Sequence, residues 1–495
     1  MPSHPTSPQT IVEHMLIDGK RVEGNDRLEV RNPARPSEIV GTIVRGTPAH
    51  VEAAVAAAKR AQPQWAALSF RRRAALLERG LRRLEEDLEQ RAAIFVRENG
   101  KPLAQARGEL QSVPVRQRQA LGFAEQLDEV QHVPAQNGFT FVTGRPYGVV
   151  VSIVPWNSPD VLAFTQVVAA LLAGNGVVLK PPESCPLTLI DSIRRFSAEL
   201  PAGIVNIVTG LPGEIGDVLT THPDVAKLGF TGSIPAARHI MANAAQTIKG
   251  VTLELGGNDP AIVLEDAVLD EAVVSRMTNA TFMMSGQVCM AAKRFYVHES
   301  RADEFLAKFR KSIDSLVVGN GLEPSVTLGP VHSQAGLARA RELVDDAVRR
   351  GGHVEALGRI LDRGIYDEGY FMQPTLVTNL PDDARLVQEE QFCPAIPVAT
   401  FSDDEEAIRR ANSTIFGLGG SVWSKNTKHA TDVALQLESG QVWINSHGVL
   451  AINHLAPYGG VKQSGIGRKS GLQGILEYLH SQTITSYEDA ATGAP

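Results

Sequence analysis

The sequence is poor in the features that mark secreted, membrane-spanning and nucleic-acid-binding proteins. Its 495 residues include three cysteines, Cys185, Cys289 and Cys393, and no Cys-x-x-Cys pair, so we expect neither a disulfide framework nor a zinc finger. No apolar run is long enough to cross a bilayer, and the stretch MPSHPTSPQTIVEHML has no signal-peptide core. A net charge of −7 gives no reason to expect a nucleic acid or a membrane as partner. These absences predict a cytoplasmic protein.

The short motifs of several common catalytic classes are also missing. The sequence has no Walker A motif, no H-E-x-x-H, no G-x-S-x-G and no paired Cys/His spacing, so we expect no metal centre. No G-x-G-x-x-G follows a predicted strand, so a dinucleotide site would have to be of a variant type. Hydrophobic residues make up 43% and charged residues 21%, which is ordinary for a soluble globular protein. The length predicts two or three domains.

The order of the apolar segments predicts an α/β protein. Residues 50–100 read as helices with one apolar face formed by Leu77, Leu81, Leu84 and Leu88. We expect the arginines at 71–73, at the start of this stretch, to be solvated and salt-paired. Val- and Ile-rich strands then alternate with helices from VVVSIVP to VTLEL, and again over 257–456. This alternation predicts parallel sheets covered on both faces, with ligands at the carboxyl ends of the strands.

Polar side chains follow three of the predicted strands. Asn157 lies between two prolines, where its amide could donate to a developing oxyanion or satisfy the backbone of the turn. Lys180 and Glu183 could hydrogen-bond the two hydroxyls of a ribose or form a surface ion pair. Ser233, after Gly232, opens a helix whose N-terminus could hold a phosphate, although a plain N-cap is the commoner use of serine.

Glu254 and Cys289 are the candidates for chemistry. Glu254 ends a strand before Gly256 and Gly257, which allow close backbone approach. A partly desolvated carboxylate there suits a general base, with a structural acid as the alternative. Cys289, in FMMSGQVCMAA, would alone more often be a buried hydrophobe than a nucleophile. As a nucleophile it would need backbone N–H groups or a cation to lower its pKa.

Seven motifs in one order reverse that balance. They are PWNSP, LAGNGVVLKPPE, FTGS, LELGG, SGQVC, EEQFCP and PYGGVKQSGIGR. They resemble the successive signature motifs of the NAD(P)-dependent aldehyde dehydrogenase superfamily, and the resemblance runs from about residue 15 to about residue 485. It implies a Rossmann-type parallel-sheet cofactor domain over 1–134 and 147–256, and a second α/β, catalytic domain over 257–456. It also implies a small β oligomerisation element over 135–146 and 474–495.

The resemblance implies a role for each matching residue. Cys289 would attack the aldehyde carbon to form a thiohemiacetal and, after oxidation, a thioester. Asn157 and the backbone N–H of Cys289 would hold the oxyanion, and Glu254 would activate water for hydrolysis. The cofactor would contact Trp156, Lys180, Glu183, Thr231, Gly232, Ser233, Leu255, Glu390 and Phe392. Because Glu183 would repel a 2′-phosphate, the resemblance favours NAD, with NADP possible.

The resemblance also outlines the substrate pocket and the assembly. The pocket lining would be Ser158, Val161, Leu162, Thr165, Val288, Met290 and Tyr458. Ser158 and Thr165 stand where aromatic residues are common, which predicts a roomier, less apolar mouth, closed by the loop SHGVLAINHLAP. An aromatic or a medium-length aliphatic aldehyde would be compatible. A hairpin at 135–146 and the strand SQTITSYE imply a homodimer or homotetramer built by sheet extension.

Four positions depart from the family pattern. Pro182 stiffens the loop before the ribose-binding glutamate, and Cys393 replaces a glycine and adds a possible second thiol close to the site. Gln166 stands where many members have a lysine assigned to a proton relay, so a relay here would run through water. Lys469 replaces an acidic residue, and no consequence is predicted for it.

Two alternatives stay open. A CoA-acylating relative would keep the cysteine and release acyl-CoA, but such enzymes characteristically lack the hydrolytic glutamate, and Glu254 is present. A non-catalytic structural or binding member would be expected to lose Cys289, Glu254 or Asn157, and all three remain.

Overall fold

The structure is a computed structural model that describes residues 10–135 and 137–487. Three predictions extend beyond these residues. Residues 1–9 of the predicted cofactor domain, Gln136 of the predicted hairpin and residues 488–495 of the predicted C-terminal element lie outside the described part. No helix in the described part is long and apolar enough to cross a membrane.

The first of two large sheets has five parallel strands at its centre and antiparallel strands at its margins. From one edge to the other its strands are Gly465–Ile466, Gly250–Glu254, Val225–Thr231, Val149–Ile153, Gly176–Lys180, Val205–Ile207, Met15–Ile17 and Lys20–Val22. Along Val149–Ile153 the side chains alternate between two apolar clusters, with Val150 in one and Val149 and Val151 in the other. Both faces are therefore buried, as the Val-rich strands predict.

Helices cover the two faces of this sheet. They are Pro48–Ala66, Phe70–Arg82, Leu88–Asn99, Leu103–Leu121, Ala124–Asp128, Pro159–Leu172, Leu187–Ser197, Asp217–Thr221 and Ile234–Ala245. The helix Pro159–Leu172 lies almost entirely inside the protein, and Ser233 caps Ile234–Ala245 by accepting a hydrogen bond from the backbone N–H of Ala236 at 3.4 Å. The carboxyl ends of the central strands open toward this cap.

Two details of the predicted helical segment are wrong. The apolar face does not continue from Leu84 to Leu88 in one helix, because the chain turns at Asp87, whose φ is +51°, before the next helix begins. Arg73 is not solvated: it is 3% exposed and donates to the carbonyls of Ala66, Leu68 and Leu172. These carbonyls end the preceding helix and the helix Pro159–Leu172, so the guanidinium satisfies acceptors that a helix end leaves unpaired.

The second large sheet is parallel except for one edge strand. Its order is His353–Ala356, Thr375–Thr378, Ala395–Phe401, Ala292–His298, Asp259–Val263, Gly419–Trp423 and Gln441–Ile444. The helices that accompany it are Glu271–Phe282, Ala302–Asp314, Gln334–Arg349, Arg363–Glu368, Arg385–Gln388, Asp404–Ala411 and Thr427–Ala434. All seven strands fall within 257–456, while Gly465–Ile466 joins the first sheet from beyond that range. The domain boundaries stay a prediction.

Three small sheets complete the fold. Gln131–Val133, Thr140–Pro146 and Leu479–Thr485 form an antiparallel sheet with mostly exposed strands. The predicted hairpin thus begins earlier than 135, because its first strand precedes the turn. The other two sheets are Ile11–Val12 with Arg35–Val44 and Arg27–Asn32, and Val317–Val318 with Arg359–Ile360. The helix Gly471–Leu476 precedes the C-terminal strand.

Candidate active site

The loop before Cys289 is tightly wound and fixed on both sides. Met284, Ser285 and Gly286 follow one another with φ of +53°, +59° and +72°. The Ser285 hydroxyl donates to the carbonyl of Gly329 at 2.7 Å, and the Gln287 amide donates to the carbonyl of Met284 at 2.9 Å. A Cβ at Gly286 would strike a backbone carbonyl, so glycine is required here. The Ser-Gly-Gln sequence therefore fixes the position of the thiol.

Glu254 lies beside the thiol. Its Oε1 accepts from Cys289 Sγ at 3.0 Å, and Tyr458 Oη lies 3.5 Å from the same oxygen. Burial, followed by the charge of Glu254, raises the pKa of Cys289 well above its ordinary value, and Lys293 opposes this. The lowered thiol pKa expected for a nucleophile is therefore absent, because the nearest charge is a carboxylate. The carboxylate is instead placed to accept the thiol proton.

Asn157 is 5% exposed and is held through both its backbone and its side chain. Its carbonyl accepts from Lys101 Nζ at 2.8 Å, and its Nδ2 donates to the carbonyl of Gln287 at 3.1 Å. Lys101 is itself buried and ion-paired with Glu109. The amide is therefore fixed next to the loop that carries Cys289, with a second N–H free for another acceptor.

A cavity of about 430 Å³ runs from Cys289 to the N-terminus of the helix Ile234–Ala245. Seven of the predicted cofactor residues line it: Trp156, Thr231, Gly232, Ser233, Leu255, Glu390 and Phe392. Gly256 also lines it, and a Cβ there would strike the Glu390 carboxylate. The free N–H groups of a helix N-terminus suit a pyrophosphate, so the residues present fit a dinucleotide.

Lys180 and Glu183 are not among the residues that line this cavity. Lys180 ends its strand opposite Ile153, at the same edge of the sheet, and its Nζ donates to Glu183 Oε2 at 3.0 Å. Lys180 is buried, whereas the side chain of Glu183 is 39% exposed. The pair therefore lies at the outer part of the strand edge, with the glutamate open to solvent.

Lys293, which sequence reasoning missed, organises the other end of the cavity. Its Nζ donates to Glu390 Oε1 at 2.7 Å, to the carbonyl of Gly257 at 2.9 Å and to that of Cys289 at 3.3 Å. It also lies 5.1 Å from the ring centre of Phe392. Four residues after the thiol, this buried ammonium ties Glu390 to the backbone of Cys289.

A second cavity lies on the other side of the thiol and measures about 60 Å³. It is lined by Cys289, Glu254, Asn157, the seven predicted pocket residues Ser158, Val161, Leu162, Thr165, Val288, Met290 and Tyr458, and by Arg116, Val449, Ile452, His454, Lys469 and Ser470. Val449, Ile452 and His454 of the closing loop line one side of it, and the roomier mouth expected from Ser158 and Thr165 stays a prediction. Arg116, Lys469 and Ser470 were not predicted as lining.

The four residues that depart from the family pattern are all buried in the structure. The Cys393 thiol packs in an apolar cluster with Leu343, Val377 and Leu386, and burial raises its pKa to about 12. It is therefore a core side chain rather than a second reactive thiol. Gln166 is buried and donates to Thr231 Oγ1 at 3.2 Å, while Lys469 Nζ lies 3.0 Å from Glu254 Oε2. Pro182 is buried and leaves the Lys180–Glu183 pair intact.

The chain is similar to well-characterised groups of proteins along nearly its whole length. A profile described as "Aldehyde dehydrogenase family" matches residues 21–484. Succinate-semialdehyde dehydrogenase [NADP(+)] GabD of Escherichia coli is 35% identical over 478 residues, covering 94% of this chain and 96% of its own. Glutarate-semialdehyde dehydrogenase of Pseudomonas aeruginosa is 37% identical over 482 residues, covering 94% and 96%.

The fold is similar to that of solved structures. Betaine aldehyde dehydrogenase (betB) of Staphylococcus aureus in complex with NAD+ superposes with a TM-score of 0.91 at 32% identity, covering 98% of this chain and 97% of that one. The superposition covers nearly the whole of this chain, so the two proteins share a fold.

Proposed function

The chain belongs to the aldehyde dehydrogenase family, and from that premise we propose which residues carry out the NAD(P)-dependent oxidation of an aldehyde to an acid. Cys289 is the nucleophile, Glu254 the general base and Asn157 the oxyanion donor. The observation that carries this proposal is the 3.0 Å contact between Cys289 Sγ and Glu254 Oε1 at the junction of the two cavities.

The geometry supports the following sequence of steps. Glu254 accepts the thiol proton as Cys289 Sγ bonds to the aldehyde carbon, and the second N–H of Asn157 stabilises the oxyanion of the thiohemiacetal. A bound nicotinamide dinucleotide supplies the two-electron oxidant. Glu254 then passes the thiol proton to solvent. The ionised carboxylate deprotonates the water that attacks the thioester, and it returns this proton to the departing sulfur, which releases the acid and restores the Cys289 thiol.

We propose NAD as the preferred dinucleotide. Glu183, paired to Lys180 at the outer end of the strand edge, would hydrogen-bond a ribose 2′-hydroxyl and repel a 2′-phosphate. The similar proteins use both forms: the Escherichia coli relative is named for NADP(+), and the Staphylococcus aureus structure contains NAD+. The half-exposed Glu183 side chain can turn aside, so NADP is a weaker second cofactor rather than an excluded one.

We propose that the substrate is an aldehyde with an anionic far end. Arg116 lines the substrate cavity and has no hydrogen-bond or ion-pair partner within 10–135 and 137–487. Burial, and then Arg116, lower the pKa of His454 to about 4, so this neighbouring imidazole is neutral at pH 7. Glu254 and Lys469 neutralise each other, which leaves Arg116 as the unmatched charge of the lining. A carboxylate would pair with it.

Two of the three substrates named for the relatives fit this charge argument. Succinate semialdehyde and glutarate semialdehyde carry a carboxylate, whereas betaine aldehyde carries a quaternary ammonium. An unpaired guanidinium beside the pocket favours the first two and opposes the third. The five aliphatic side chains and Met290 around the thiol suit the short methylene chain between aldehyde and carboxylate.

Steady-state kinetics with three aldehydes tests this proposal. With NAD, kcat/KM should be highest for succinate semialdehyde, lower for butanal and lowest for betaine aldehyde, and CoA should not change the product. Arg116→Met should reduce kcat/KM for succinate semialdehyde about ten- to hundred-fold and leave butanal unchanged. Arg118→Met is the matched control, because Arg118 pairs with Glu78 and Glu85 outside the cavity.

Three results would contradict parts of the proposal. Equal kcat/KM values for butanal and succinate semialdehyde would contradict the anionic substrate class. An equal loss of kcat/KM in Arg118→Met would contradict the role of Arg116. Formation of an acyl-CoA in place of the free acid would support the CoA-acylating alternative and remove the hydrolytic role of Glu254.

We also propose that two or four copies assemble through the small antiparallel sheet. Its strand Leu479–Thr485 is exposed along most of its length and carries the exposed apolar side chain of Ile484, and the Phe139 side chain is exposed as well. An edge of this kind is normally covered in the native assembly. Light scattering on a sizing column should give a dimer or tetramer. The cytoplasmic location stays a prediction.

A further inference from the structure

Glu254 bridges two partners of different kinds. Its Oε1 faces the Cys289 thiol at 3.0 Å, and its Oε2 accepts from Lys469 Nζ at 3.0 Å. The Lys469 and Glu254 side chains are 6% and 2% exposed. The carboxylate therefore joins the reactive thiol to a buried ammonium.

Lys469 is fixed by its backbone to Tyr458, and the segment just before it pairs with the strand that carries Glu254. Its N–H donates to the carbonyl of Tyr458 at 2.6 Å, and its carbonyl accepts from the N–H of Tyr458 at 2.7 Å. The strand Gly465–Ile466 just before it pairs with Gly250–Glu254, with Gly465 opposite Glu254. The ammonium and the carboxylate are thus held in register by hydrogen bonds between their own chain segments.

Lys469 and Gln166 converge on one hydroxyl. Lys469 Nζ and Gln166 Nε2 both donate to Thr231 Oγ1, which lies 3.4 Å from Glu254 Oε2. Gln166 Oε1 is buried and has no hydrogen-bond partner in the part of the chain that the structure describes. The helix Pro159–Leu172 therefore brings a neutral amide to Thr231, and the positive charge comes from position 469.

We propose that Lys469 is the positioning residue for Glu254: its ammonium keeps the buried carboxylate ionised and turned toward Cys289. The proposal rests on the proposed function, in which Glu254 activates water. Without the ammonium, Glu254 is a buried charge with no counter-ion, which favours its protonated form at neutral pH.

The charged and titratable groups around this pair are few. Cys289, Tyr458 and Lys469 face Glu254 directly, and Arg116 and His454 line the same cavity. Lys293 and Glu390 lie beyond Cys289 and pair with each other. Among the described residues, Lys469 is the cation that contacts Glu254. The pH dependence of the base is therefore expected to follow this one contact.

The test measures the decay of the acyl-enzyme as a function of pH. Lys469→Met should slow hydrolysis about ten- to hundred-fold at pH 7 and recover at higher pH, and it should slow the NADH burst in the same way, because Glu254 also accepts the thiol proton in the first step. Lys469→Arg should keep the wild-type profile. Adding Gln166→Lys to Lys469→Met places an ammonium at the same Thr231 hydroxyl and should restore about ten-fold or more of the lost rate. Gln166→Met in the same background is the matched control and should restore nothing.

Two results would overturn the proposal. If Lys469→Met hydrolysed the acyl-enzyme at the wild-type rate between about pH 6 and about pH 9, Glu254 would not need the ammonium. Lys469→Met could also hydrolyse the acyl-enzyme slowly with an unshifted pH profile and an unchanged melting temperature. If Gln166→Lys then failed to restore the rate, the effect of Lys469 would be structural only. Glu254→Gln distinguishes failure of this proposal from failure of the proposed function. If that variant kept its hydrolysis rate, Glu254 would not be the general base.

Discussion

The two cavities that meet at Cys289 are built in different ways. The proposed cofactor cavity is formed by strand ends, glycines and one helix N-terminus, and the buried cation Lys293 pairs with Glu390 of its lining. The proposed substrate cavity is formed by side chains from distant segments, with Arg116 and Lys469 as its cations. The first is a property of the sheet, whereas the second depends on which side chains the surrounding segments supply. This difference determines both what the sequence reveals and how each side should respond to mutation.

The cofactor side could be predicted because its residues follow parallel strands. Thr231 is the last residue of its strand, Trp156 and Leu255 follow the strands Val149–Ile153 and Gly250–Glu254 of the same sheet, and the carboxyl ends of parallel strands meet at one edge. The two-sided apolar pattern of those strands also predicts the α/β fold. The position in the fold of a motif at the end of a parallel strand can therefore be predicted from the sequence.

The substrate side could be predicted only in part. Ser158 to Thr165 lie on a helix that begins at a predicted site, but Arg116 comes from the helix Leu103–Leu121, where a charged residue looks like any solvated position. Lys469 likewise looks like a solvated residue in the sequence. Its contact with Glu254 depends on the pairing of Gly465–Ile466 with the sheet. No local pattern encodes that pairing. Arg73 shows the same limit, since an arginine triplet predicts exposure and the structure buries its third member.

The largest effect is expected at the thiol that both cavities share. Cys289→Ala should reduce aldehyde-dependent NADH formation by about a thousand-fold or more, because the thiohemiacetal and the thioester of the proposed mechanism both form on its Sγ. Cys393→Ala is the matched control and should keep near wild-type kcat, because its thiol packs in the apolar cluster behind the cofactor side. Comparable losses in both variants would place reactivity at Cys393 instead.

A smaller and one-sided effect is expected at Lys293. Lys293→Met leaves Glu390 without its cation and should raise KM for NAD about ten-fold, with little change in KM for the aldehyde. Arg116→Met should instead raise KM for the aldehyde with little change in KM for NAD, so the two variants distinguish the two sides of the thiol. Lys308→Met, on an outer helix, is the control for loss of a lysine. A rise in both KM values for Lys293→Met would show that the two cavities are coupled through Cys289.

The smallest effect is expected in the titration of the thiol itself. Burial and the charge of Glu254 raise the pKa of Cys289, so the thiol stays protonated at neutral pH and its alkylation should speed up only as the pH rises above the ordinary thiol range. Glu254→Gln removes the negative charge and should move the midpoint of iodoacetamide labelling to lower pH by about one unit. The measurement uses the Cys185→Ala/Cys393→Ala background, so that Cys289 is the labelled thiol. An unmoved midpoint would mean that burial alone raises the pKa, and that the 3.0 Å contact with Glu254 does not control the thiol before substrate binds.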